Sequence, residues 1–361
     1  MNEREKKLLT LIRKNPYVSQ QELADTLQMS RPSVANLISG LVKKGYIRGK
    51  AYILNDSKPV ICIGGANVDR KFYVKDYLQM GTSNPIHANQ TVGGVARNIA
   101  ENFGRLGMET TLLTTAGRDA EWDLIEEVSS PYMTLDHVNH FSNQNSGSYT
   151  AILDKQGELA VGFADMDIFD RMNPEWLQNS ASILNQAKCA VADLNCPKDT
   201  LQLLTQLTAA QEIPLVLVTV SAPKMQNMPE KLEGVTWVIT NRTESEAYFD
   251  CKLTSEESVQ KWLDAGVANV VVTEGSEGAA VGNRSEGIHL VPALKIDDVS
   301  DVTGAGDAFS AAVTYSWLEG EDIFSSVKAG IVNASRTLQS SFTVRQDLSA
   351  KKLREDMEEV L

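Results

Sequence analysis

Two patterns of apolar residues divide the chain near residue 55. Before it, apolar positions recur at helical spacing. Leu8, Leu9, Leu11 and Ile12 form one side of a first helix that Asn15-Pro16 stops. Ser19 caps a short helix, Gln20 to Leu27, with Glu22 placed as its capping-box partner. After the Gln28-Met29 turn, Ser30 caps a third helix in which Val34, Leu37, Ile38 and Leu41 repeat and Gly45 ends the run. Tyr46 to Leu54 predicts a short hairpin with Gly49 at its tip, and Asn55 to Pro59 reads as a linker.

From Val60 onward, short apolar runs alternate with amphipathic segments. Val60 to Ile63, Thr111 to Thr115, Cys189 to Leu194, Pro214 to Val220, Trp237 to Thr240 and Asn269 to Thr273 read as buried strands. Helices over Ala96 to Leu106, Thr200 to Ala210 and Ser255 to Ala265 fall between them. Such alternation predicts a mostly parallel sheet covered on both faces. Residues 71–92 and 147–162 are strand-like but polar, which predicts a small sheet acting as a lid.

Composition narrows the class. With 361 residues, 42% of them hydrophobic and 22% charged, the chain can form one large domain and a small one, and disorder is excluded. It has no run of about twenty apolar residues and no apolar segment behind its charged first residues, so a cytoplasmic protein without membrane contact is expected. Cys62, Cys189, Cys196 and Cys251 are scattered, as suits reduced thiols, and His137 and His140 lack a third metal ligand. The net charge of −13 is uneven: residues 1–54 hold ten Lys or Arg against four acids. A basic head on an acidic body suits an end that meets nucleic acid.

The head resembles a winged helix-turn-helix, which implies double-stranded DNA as partner for residues 1–55. Arg31, Ser33 and Asn36 lie on the exposed face of its recognition helix, and Arg48 and Lys50 flank the tip of the wing.

The chemistry concentrates in five short segments of the body. Asp301 to Asp307 spells Asp-Val-Thr-Gly-Ala-Gly-Asp and opens a helix. Small residues at 304–306 let backbone amides approach a phosphate, and Asp307 on the first turn can take a proton from an attacking hydroxyl. After the first strand, Asn67 and Asp69 are expected at its C-terminal edge, where Asp69 can accept two sugar hydroxyls. Gly93-Gly94 precedes a helix, offering a hinge and an exposed Asn98. Asn241 and Glu244 follow a strand and can hold a hydrated Mg²⁺ and phosphate. Thr273, Gly275 and Gly278 form a strand end and glycine-spaced turn suited to nucleotide contact. Neither a P-loop nor a dinucleotide-binding glycine pattern is present.

In this order the five segments resemble the ribokinase-like, or PfkB, sugar and nucleoside kinases over about residues 59–345. The resemblance implies a three-layer α/β sandwich with a small β lid, spanning 59–361 and preceded by the all-α winged head. It makes Asp307 the catalytic base and Gly304, Ala305 and Gly306 the anion hole. Asn67, Asp69, Gly93, Gly94 and Asn98 would bind the acceptor, and Asn241 and Glu244 would organise Mg²⁺ and the phosphates of ATP. Val302 stands where the family usually has Thr, which leaves the amides and Asp307 in place but blurs any K⁺ site formed with Asp301 and Thr303. Gly93 to Asn102, Ser148 to Asp154, Ala164 to Ile168 and Ala192 to Asn195 are similar to pseudouridine kinases, and Val95 stands where ribokinases commonly have Lys. Tyr149, Asp165 and Met166 are then candidates for contacting the base. Inosine, ribose or fructose as acceptor, or a ligand-sensing transcription regulator, are the rival readings. A homodimer is the expected assembly.

Overall fold

The computed structural model describes residues 1–49, 58–296, 299 and 302–360. In the head, helices Glu3–Lys14, Gln20–Leu27 and Arg31–Lys43 bury Leu8, Ile12, Leu23, Val34 and Leu41 against one another. Ser19 closes the expected reciprocal capping box with Glu22, and Asn2 closes another with Glu5 that is not among those expected from the sequence. Arg31 and Asn36 are exposed; Ser33 is half-buried, its hydroxyl 2.8 Å from that of Ser30. Arg48 is exposed, while Lys50, the second half of the expected hairpin and most of the linker lie outside the described residues. The head touches the body where Tyr46 Oη donates to the Asn185 carbonyl (3.4 Å) and Gln186 Nε2 donates to the Lys44 carbonyl (3.3 Å).

The body is built on an eight-stranded sheet. Six strands run parallel in the spatial order Thr110–Leu113, Val60–Ile63, Cys189–Asp193, Leu215–Val218, Trp237–Asn241 and Asn269–Thr273. Ala279–Asn283 and Gly287–Val291 extend this edge antiparallel. Because both faces are covered, the central strands are apolar at nearly every position. Phe103, Phe309 and Val327 pack from helices Val95–Arg105, Ala305–Leu318 and Ile323–Leu338 onto one face. Leu201, Leu204, Trp262 and Leu263 pack from helices Lys198–Ala210 and Ser255–Asp264 onto the other. The result is the expected three-layer sandwich.

A separate four-stranded sheet, in the order Ile86–Gly93, Asn67–Val74, Gly147–Leu153 and Leu159–Asp165, forms the lid. Asn67 and Asp69 therefore begin a lid strand and do not end the first strand of the main sheet, since Gly64 to Ala66 turn the chain out of that sheet. The lid returns to the body at Gly94, which caps helix Val95–Arg105 with φ 100°. A Cβ there would lie 2.4 Å from the Gly65 carbonyl oxygen, so only glycine permits this crossing.

Candidate active site

Helix Ala305–Leu318 starts at Gly304, whose φ of 84° and close approach to the Thr343 carbonyl leave no room for a side chain. Around Gly306, by contrast, an added Cβ would meet no heavy atom within 4 Å. The first turn thus presents backbone amides to open space, the arrangement that receives an anion. Asp307 stands in that turn, and Asn98 Nδ2 donates to its Oδ2 at 2.7 Å. Asn98 is buried, not exposed as its sequence position predicted, because its helix packs directly against helix Ala305–Leu318. Burial, aided by the charges of Asp193 and Asp69, pushes the Asp307 carboxyl up to about 7, against the pull of Asn98 and the Arg97 guanidinium. A carboxyl poised there can exchange a proton near neutrality.

A cavity of about 180 Å³ joins Asp307 and Gly306 to Asn241, Glu244 and Thr273. Asn241 and Glu244 form a reciprocal cap on helix Arg242–Phe249: Asn241 Oδ1 accepts from the Glu244 amide at 2.8 Å, and Glu244 returns the bond. Thr219, Thr240 and the Asn241 amide all donate to Glu244 Oε2, which leaves Oε1 for the cavity. The same pair is therefore a helix cap and a cavity wall. Among the described residues, no cluster of three His, Cys, Asp or Glu side chains suits a metal. Glu244 and Asn241, on a cavity wall shared with Asp307, would hold a Mg²⁺ that keeps most of its waters, and the ion would supply positive charge for phosphate groups. Gly275 and Gly278 do not line this cavity; Gly278 is required instead by the Val291 carbonyl, 2.1 Å from where its Cβ would stand.

A second cavity, about 130 Å³, opens under the lid between Asp69, Lys71, Tyr149 and Thr303. Asn67 Nδ2 donates to Asp69 Oδ1 at 2.7 Å, and Asp69 Oδ2 occupies the space a side chain on Gly93 would need. Lys71 Nζ donates to Thr303 Oγ1 at 3.3 Å, tying the lid to the turn before helix Ala305–Leu318. Its place two residues beyond Asp69 on a strand puts both on one face, a signal available from strand periodicity. Asp165 is exposed and Met166 packs toward the core beneath the main sheet; neither lines either cavity. Asp301 lies outside the described residues, so Thr303 alone represents the expected K⁺ pair.

Asp193 was not among the expected site residues. Its Oδ2 accepts from the amides of Gly65 (2.9 Å) and Ala96 (2.8 Å), and its Oδ1 from that of Asn195 (2.8 Å). The strand-end carboxylate thereby pins both chain crossings between the main sheet and the lid.

Residues 57–348 match the profile described as pfkB family carbohydrate kinase, and residues 1–48 that of a winged helix-turn-helix DNA-binding domain. The chain belongs to the pfkB family. It is thus a kinase-fold phosphotransferase whose acceptor class is an alcohol. Among pfkB relatives, "Uncharacterized sugar kinase YeiI" of Escherichia coli is 29% identical over 97% of both chains. "Pseudouridine kinase" of Escherichia coli is 30% identical over 80% of this chain and 93% of its own. The carbohydrate kinase from Agrobacterium tumefaciens superposes with a TM-score of 0.75 at 29% identity, covering 84% of this chain and 98% of that one. No helix among the described residues is long and apolar enough to cross a membrane.

Proposed function

We propose that the body transfers the terminal phosphoryl group of ATP to the ribose 5′-hydroxyl of a nucleoside, with pseudouridine the first candidate. The observation that carries this reading is Asp307, half-buried and held by Asn98 on the wall of the Glu244 cavity, and near enough to Asp69 of the lid cavity to feel its charge. Asp69 accepts hydrogen bonds from sugar hydroxyls and sets the acceptor's depth. Asp307 accepts the proton of the attacking hydroxyl as its oxygen bonds to phosphorus. Amides of the 304–306 turn receive the charge of the migrating group, and the lid keeps out competing water. Mg²⁺ bound at Glu244 would neutralise phosphate charge.

The similarity to the Escherichia coli pseudouridine kinase favours that acceptor, and Tyr149 in the lid cavity offers an aromatic face for a base. ATP consumption measured side by side on pseudouridine, uridine, inosine, ribose and fructose tests it. Clear preference for pseudouridine is the expected result; preference for a free sugar overturns the nucleoside assignment, and silence on all five overturns catalysis.

The head is assigned to double-stranded DNA through Arg31, Asn36 and Arg48, all exposed on a basic domain. Retention on promoter fragments should weaken steeply with salt. No retention at low salt removes the DNA role.

A further inference from the structure

Arg97 is 1% exposed, one of the largest buried side chains in the molecule. Each nitrogen of its guanidinium has an assignment. Nε donates to Ser129 Oγ at 3.0 Å, Nη2 pairs with Glu101, and Nη1 donates to Asn98 Oδ1 at 2.9 Å. Glu101 is also held by Arg105 at 2.7 Å, which in turn is anchored to the Gln346 carbonyl. A guanidinium has no acceptor, so the atom of Asn98 that faces it must be the oxygen. The amide can then turn only one way, with Nδ2 toward Asp307.

We propose that Arg97 is a positioning residue for phosphoryl transfer: by fixing the Asn98 amide, it keeps an N–H directed at the Asp307 carboxylate and holds it ionised and aimed at the acceptor hydroxyl. The inference rests on Asp307 being the base proposed above. The groups around Asp307 make the need concrete. Asp69 from the lid and Asp193 from the main sheet both oppose its ionisation, and Glu244 stands across the cavity, whereas Asn98 and Arg97 from the packed helix favour it. Without Arg97 the amide is free to flip, and its oxygen would face the carboxylate. Two acceptors in contact favour protonated Asp307, so the base is lost at neutral pH and recovered in alkali.

The test uses the full chain. Carboxylate ionisation of Asp307 is followed by infrared difference titration of the unligated protein, with Asp307→Asn identifying its band. In Arg97→Met the midpoint should rise by about one pH unit, and Arg97→Lys should restore part of the shift. With the acceptor found in the screen, kcat at pH 7 should fall about fivefold in Arg97→Met and recover toward pH 9, with KM unchanged. Should Arg97→Met fail to fold, Ser129→Ala, which removes only the tether on Nε, should move the midpoint the same way by less. An unchanged midpoint in these variants, or a loss of kcat equal at every pH, overturns the proposal. The titration reads Asp307 whether or not the chain turns over any acceptor, so a failure of the kinase reading is seen separately.

Discussion

Asp193 and Asp307 are both carboxylates that burial pushes above their ordinary range, yet their surroundings differ in kind. Asp193 accepts three backbone amides and lines neither cavity. Asp307 accepts one side-chain amide and opens onto a cavity. A saturated buried acid holds the chain together; an undersaturated one keeps lone pairs for a proton from outside. The count of donors, more than the shifted ionisation, tells the two roles apart.

Five measurements can break or sharpen this contrast. Asp307→Asn should lower kcat by about 10²–10⁴-fold with ATP affinity unchanged, as equilibrium binding and steady-state rates will show. Near-normal turnover would dissolve the distinction. The same variant should melt higher above pH 7. The raised carboxyl makes the native chain hold a proton that the unfolded chain has released, so stability falls as pH climbs from about 4 to about 7. Gly304→Ala, strained at φ 84° and pressed on Thr343, should displace the turn that carries Asp307 and slow transfer about a hundredfold.

Across pH, kcat/KM of the wild type should drop about tenfold per unit below a midpoint near 7 and level off above it. A flat profile from pH 5 to 8 would assign the proton to another group. Asp193→Asn should chiefly cost stability, about 2–3 kcal/mol in denaturant titration, because the new amide turns an N–H toward donors that needed an acceptor. Its effect on kcat should stay well below that of Asp307→Asn.

Much of this architecture was legible from residue order. The six parallel strands announce themselves as apolar runs because each is buried on both faces. The strands Ala279–Asn283 and Gly287–Val291 do not, since the first is mostly small residues and the second is a short, mostly exposed run broken by His289. At the site, the glycine turn and the caps at Asn241 and Glu244 are local and could be read along the chain. Asp193 could not, for its amide partners Gly65 and Ala96 lie 128 and 97 residues away. From the sequence Asn98 reads as exposed, and Arg97 carries no site expectation. Only a second helix packed over them turns the pair into an interior network. Asp165 pairs across the lid with Ser148, the residue before Tyr149, so alternation sets its side chain on the opposite face from Tyr149, in solvent.

The two glycines flanking Ala305 answer to different masters. The one at 304 is dictated by the protein's own interior, while the one at 306 is crowded by nothing in the chain. A lineage that abandoned phosphoryl transfer could therefore drift at 306 without harm to folding, yet would stay locked at 304. Replacing 306 with alanine isolates occupancy of the turn by a guest from assembly of the host.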